Sequence, residues 1–250
     1  MSPSNVDRSG DRFRVERRSL VKLAALAVGS AGLAVARARG EEGPGMSRAG
    51  GECSYEEFVN EADPLTKSLL DFGSRASEDR YLFALATLAV RLGGVAEPEM
   101  RRVNAEDQPG HWIGANDTPD DCPFVVLHWK LAPGGVVRPH PHAYGNVVTL
   151  GLEGEVRVAN HETVEAPDYA ERGTFLVRRT VDQVLLPHAV NLVPLRHGFI
   201  HGFVAGPHGA RGLDITTRVK DKLPNFTVDI AAEPTDARSA LYEARWIAPS

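Results

Sequence analysis

Gly134-Gly135-Val136-Val137-Arg138-Pro139-His140-Pro141-His142-Ala143-Tyr144-Gly145-Asn146-Val147, continuing to Glu153-Gly154, is the stretch that decides how this 250-residue chain folds. Residues two apart in a strand point to the same side, so His140 and His142 aim two imidazoles at one point. Pro139 and Pro141 bracket His140 and remove ladder donors, which predicts an edge or bulged strand at the mouth of a barrel. Two converging neutral imidazoles begin a metal site, and a third ligand has to come from elsewhere. The competing reading is a pair of surface histidines on a strand; the Gly and Pro framework weighs against it.

Outward from this stretch the chain reads as short strands separated by Gly, Pro, Asn and Asp. Phe124 to Leu131 is β-branched and aromatic and ends at Ala132-Pro133-Gly134-Gly135. Val147 to Leu152 and Glu155 to Val158 flank Gly154, and further strands follow at Thr174–Val177, Val181–Leu186, Val190–Val193, Phe199–Val204 and Ala210–Thr216. Such spacing predicts an all-β sandwich or small barrel. Before it, Tyr55 to Leu92 reads as two helices, the first broken near Pro64. The second is capped by Ser77, carries Tyr81, Leu85, Leu88 and Leu92 at helical spacing and ends at Gly93-Gly94. Ala237 to Trp246 reads as a weak helix in an irregular C-terminal arm.

The N-terminus reads as an export signal. Glu16-Arg17-Arg18-Ser19-Leu20-Val21-Lys22 resembles the twin-arginine pattern, Leu23 to Ala36 is mildly apolar, and Ala36-Arg37-Ala38 offers small residues for cleavage. The apolar run is shorter than the ~20 residues a spanning helix needs. The expected organisation is a signal over 1–38, a flexible lead-in and helical extension over 39–94, a barrel over 95–219 and an arm over 220–250. The signal holds seven basic and three acidic residues, so its removal shifts the formal charge from −5 to −9. An acidic exported domain is a poor partner for nucleic acid or an anionic bilayer. Cys53 and Cys122 are the only cysteines. They lack the spacing of a thiolate zinc site, and whether they pair is not legible.

The arrangement Gly134, His140, His142, Val147, Gly154 resembles the first motif of the cupin superfamily. In most cupins the place of Val147, or of Asn146 if the loop shifts by one, is a glutamate that ligates the metal. A cupin branch without that glutamate, the thiol dioxygenases, binds iron(II) through three histidines. The second half, Val193-Pro194-Leu195-Arg196-His197-Gly198-Phe199-Ile200-His201-Gly202-Phe203-Val204-Ala205 with Leu213-Asp214-Ile215, is similar to the plant cysteine oxidase and cysteamine dioxygenase family. The likeness spans roughly Phe124 to Thr216. It implies a cupin (jelly-roll) β-barrel with an N-terminal helical extension.

The resemblance also implies roles. His140, His142 and His201 would bind iron(II), or another divalent metal; His188 and His197 compete with His201 for the third place. Asp214 matches the family's acidic residue near the substrate, although a buried aspartate bonded to backbone amides is the alternative. The family's Pro-Gly-Met after the histidine pair is replaced by Ala143-Tyr144-Gly145, and its Pro-Pro-Tyr by Thr216-Thr217-Arg218. Tyr144 stands as a candidate for part of the missing tyrosine's role, and Arg138 or Arg196 for orienting a charged end of the substrate. The expected partners are a small thiol or N-terminal cysteine and O2, the twin-arginine export machinery through Arg17 and Arg18, and, through exposed edge strands, a second copy in a homodimer. Two other readings compete: a non-catalytic exported cupin that binds metal or a small ligand, and a cupin isomerase or decarboxylase.

Overall fold

The helical extension forms because its apolar residues recur on one face. Helix α1 (Tyr55–Leu69) buries Phe58, Val59, Ala62 and Thr66, and helix α2 (Arg75–Ala89) buries Tyr81, Leu82, Leu85, Ala86 and Ala89. The computed structural model describes residues 52–69, 74–103, 108, 110–142, 144–165, 173–196, 199–219 and 227–247. The segment expected to direct export, with Arg17 and Arg18, and the competing candidate His197 lie outside the described residues. None of the described helices is long and apolar enough to cross a membrane.

Two helix details differ from the sequence reading. Pro64 lies inside α1 without breaking it. The buried face around it, with the Thr66 hydroxyl donating to the Ala62 carbonyl at 2.8 Å, holds the turn that proline's missing N–H weakens. The cap of α2 is Ser74, not Ser77: the Ser74 hydroxyl accepts from the Ser77 N–H, and the Ser77 hydroxyl accepts from the Ser74 N–H. Serine is a good cap at either place, and this reciprocal pair decides in favour of the earlier one.

Ten antiparallel strands follow among the described residues: β1 (Arg101–Arg102), β2 (His111–Asn116), β3 (Phe124–Leu131), β4 (Val136–Pro141), β5 (Gly145–Thr163), β6 (Thr174–Leu185), β7 (Val190–Val193), β8 (Ile200–Arg218), β9 (Thr227–Ile230) and β10 (Leu241–Ile247). The long strands β5 and β8 run side by side through both layers of the barrel. In one layer the order is β1-β2-β3-β8-β5-β7, and in the other β4-β8-β5-β6-β10-β9. Register shifts at Gly151/Glu153 and Gly154/Val156 mark where β5 passes between them. Gly154 has φ of 69° there, and a Cβ on it would lie 2.1 Å from the Gly209 carbonyl, so only glycine fits. This is the jelly-roll barrel with a helical extension that the sequence implies.

Of the residues expected to form a helix, Ala237 to Trp246, the first four make a turn and those from Leu241 belong to β10. Tyr242 and Ala244 are buried and alternate with exposed Glu243 and Arg245, while the strand pairs with β6 and β9. Tertiary pairing overrides the weak helical propensity of this stretch.

Alternation along the strands separates three apolar clusters among the described residues, one of them made by Val177, Ile200, Val228, Tyr242 and Ala244. Phe124, Val126, Val148, Leu150, Leu213 and Ile215 turn outward under the two helices, joining Phe58, Tyr81 and Leu85. Trp129, Leu131, Val137, Val156, Val158, Leu185 and Phe203 turn inward and fill one end of the barrel. The other end is polar.

Candidate metal centre

His140 and His201 are direct cross-strand partners on β4 and β8, and Asn160 on β5 is the partner of His201 on its far side, so all three side chains share the inner face. That placement depends on an irregularity. From Phe203 to His201, β8 advances two residues, while its partner advances three, from Val137 to His140. The extra residue is a bulge at Arg138-Pro139, which lets both Val137 and His140 face inward. Gly202 leaves the room: a Cβ on it would lie 3.0 Å from the Pro139 nitrogen.

The three Nε2 atoms converge. They are 3.1 Å apart for His142 and His140, 2.8 Å for His142 and His201, and 3.2 Å for His201 and His140. Nitrogens about 2.1 Å from one ion and at right angles lie about 3.0 Å apart, against about 3.4 Å for tetrahedral directions. The spacing therefore fits three adjacent corners of an octahedron better than three corners of a tetrahedron.

The hydrogen bonds agree. His140 Nδ1 donates to the Arg138 carbonyl at 2.9 Å, which leaves its Nε2 lone pair aimed at the other two rings. His142 and His201 have buried Nδ1 atoms without a protein partner. Three Nε2 lone pairs turned on one point repel unless a cation shares them, so these residues fit a divalent metal. Burial holds all three imidazoles below their ordinary pKa, His142 and His201 well below, and keeps them in the neutral form that ligates. Among the described residues they form the only cluster of three or more side chains placed to hold a metal ion.

Asp214 and Thr149 are cross-strand partners on β8 and β5, and the Thr149 hydroxyl donates to the Asp214 carboxylate at 2.7 Å. Burial pushes the Asp214 carboxyl up to about 7, against the opposing effect of that hydrogen bond. Its partner is a side-chain hydroxyl, not the backbone amides of the alternative reading. Tyr144 is half-buried, with its ring 6.0 Å from that of His142; burial and then the Asp214 charge raise its pKa, while Arg218 acts the other way. Arg138 sits on the bulge and contributes its carbonyl to His140. The Arg196 side chain is exposed, and its backbone N–H donates to Glu78 at 3.3 Å. His188 is exposed in a turn with φ of 64°.

Asn146 is settled by the structure. It is fully buried and turned toward the helices, with its side-chain amide donating to Glu78 at 3.4 Å, so it does not take the place of the missing glutamate. Val147 is the buried neighbour on the opposite face. Sequence reading missed Asn160 and Asn191, whose side chains bond each other at 2.9 and 3.0 Å beside the triad. It also missed the aromatic path His201–Phe203–Trp129, with ring centroids 4.8 and 5.3 Å apart, that joins the polar end to the apolar one. Alternation from His201 to Phe203 was the available signal for the path; the Asn pair spans a separation that no local pattern records. Cys53 and Cys122 are both buried and free, and burial raises both thiols.

No family model and no curated protein sequence matches the chain. Among solved structures it is similar to KdgF from a Halomonas species, at 19% identity and a TM-score of 0.35 over 49% of this chain and 88% of that one. The polyketide cyclase RemF from Streptomyces resistomycificus is 21% identical, with a TM-score of 0.39 over 56% and 88%. A cupin-superfamily protein from Desulfitobacterium hafniense is 19% identical, with a TM-score of 0.31 over 54% and 87%.

Proposed function

We propose that this chain is an exported mononuclear iron(II) oxidoreductase of the thiol dioxygenase kind. It would join O2 to a small thiol or an N-terminal cysteine, so that RSH and O2 give RSO2H. Both oxygens end on sulfur, which is oxidised as O2 is reduced, and no further reductant is required.

The observation that carries the proposal is a metal-ligand set made of three neutral histidines with no carboxylate. His140, His142 and His201 would hold the ion through Nε2. Such a set adds no negative charge to a divalent ion, which favours an anionic sulfur ligand over a neutral one. Bound there, iron(II) would supply Lewis acidity toward the thiol and one-electron chemistry toward O2. Phe203 and Trp129 close the apolar end against water. Asp214, with its carboxyl near 7, can hold or release a proton at neutral pH, and Tyr144 stands at the His142 side. Arg138 and Arg196 are the cations proposed to meet a charged end of the substrate.

One feature favours the second reading, a metal-binding cupin without oxidase activity or a cupin isomerase or decarboxylase. After Asp214, β8 runs on through Thr216-Thr217-Arg218, and Thr217 is bonded to Tyr81 under the helices at 2.5 Å, with no tyrosine at this point. Metal content of protein purified without added metal, then oxygen uptake with cysteine, cysteamine and N-terminal-cysteine peptides, separates the readings. Iron with oxygen consumption and a sulfinic acid product supports the dioxygenase. Iron-loaded protein that consumes no oxygen across the panel overturns it.

A further inference from the structure

Glu78, in the first turn of α2, is fully buried, outside the barrel. Burying a carboxylate is costly unless donors surround it. Three donors do: the Leu195 N–H at 2.6 Å and the Asn146 side-chain amide at 3.4 Å, both to Oε1, and the Arg196 N–H at 3.3 Å to Oε2. It has no ion-pair partner among the described residues. The donors come from two stretches of chain that share one property. Leu195 and Arg196 precede His201 by six and five residues, and Asn146 follows His142 by four. The same two stretches meet again nearer the ligands, where the His142 N–H donates to the Phe199 carbonyl at 2.8 Å.

From this we infer that Glu78 is a positioning residue for the metal centre: one carboxylate, carried by a helix outside the barrel, ties the segment leading to His201 to the segment leaving His142. The inference rests on the triad being a metal site. Groups behind the ligands commonly set metal affinity by fixing where the ligands point, and their loss costs about 10–100-fold. On this account the extension is part of the site, and not a cap over the apolar outer face alone.

The test is cobalt(II) titration of the full chain, followed by its visible absorption, together with hydrogen exchange of the His142 amide. In E78A the cobalt(II) affinity falls about 10–100-fold and the His142 amide loses protection. E78Q keeps Oε1 as acceptor for Leu195 and Asn146 but sets an NH2 donor against the Arg196 N–H, so it loses less affinity than E78A without matching the unsubstituted chain. Y81F serves as the control: it removes a hydroxyl bonded to Thr66 and Thr217, lowers the melting temperature and leaves affinity and His142 exchange unchanged. If E78A binds cobalt(II) normally with His142 still protected, or if Y81F weakens binding as much as E78A, the inference falls. If the unsubstituted chain binds no cobalt(II), the metal reading falls instead, and His142 exchange alone decides whether Glu78 reaches the ligand strands.

Discussion

The two ends of the barrel are built by the same strands and obey different rules. On β8, Phe203 and Ala205 belong to a packed apolar cluster, while His201, two residues before Phe203, belongs to a polar end whose buried atoms are partly without partners. At the apolar end the strands lose water and gain contacts, and the apolar side chains are explained by what they touch. At the polar end His142 Nδ1, His201 Nδ1 and Thr216 Oγ1 are buried without protein partners. Folding alone does not account for such groups, which cost roughly 1–3 kcal/mol each. The contrast teaches that one end sustains the fold and the other is kept at the fold's expense.

The contrast breaks most visibly at Phe203, which touches both ends. F203A should destabilise the chain by about 3–5 kcal/mol in denaturant unfolding, because it opens a cavity beside Trp129. Metal affinity measured on the folded fraction should change far less. H201A should do the reverse: metal affinity falls at least about 100-fold, worth about 2.7 kcal/mol of binding, while the melting temperature of the metal-free protein holds or rises. A metal-replete H201A would break the comparison outright.

The pH dependence sharpens it. Asp214 has a folded pKa raised to about 7 against an unfolded carboxylate near 3.9, so the folded state keeps its proton longer. Its contribution is present below pH about 4 and is lost as pH rises toward 7. D214N should therefore raise metal-free stability at pH 8 and leave it nearly unchanged at pH 4. His111, His128 and His161 are depressed by burial to about 4, so the unfolded chain takes up their protons first, and the stability they allow at pH 7 drains away as pH falls from about 6.5 to 4. Chemical unfolding at pH 4, 6 and 8 reads both signs. The smallest effect belongs to the outward neighbour of Phe203: Val204 is 49% exposed, and V204T should stay within about 0.5 kcal/mol by the same measurement.

What was legible in the sequence is what local pattern encodes. The alternation of His140 and His142, the strand at Phe124–Leu131 and the turn glycine at 154 are visible within a few residues, and the two prolines announce the bulge. The coarse fold and a three-histidine cluster follow from these together with a likeness between motifs. The cap at Ser74, the unbroken helix through Pro64 and the strand at Leu241–Ile247 were misread because packing, not propensity, decides them. Glu78 was beyond reach: its donors lie 68, 117 and 118 residues away, and nothing near it in sequence distinguishes it from the exposed Asp79 that follows it.

The bulge in β4 carries a consequence for how this site can change. Strand faces are a matter of parity: three residues along a regular strand would set Val137 and His140 on opposite faces, and the bulge absorbs the extra residue so that His140 still meets His201. Losing either Arg138 or Pro139 would leave Val137 and His140 two apart, the spacing at which both face inward on a regular strand without a bulge. The bulge is thus an extra residue that the ligand geometry tolerates and does not need, and a one-residue deletion within Arg138-Pro139 should leave His140 opposite His201 and the metal centre able to bind.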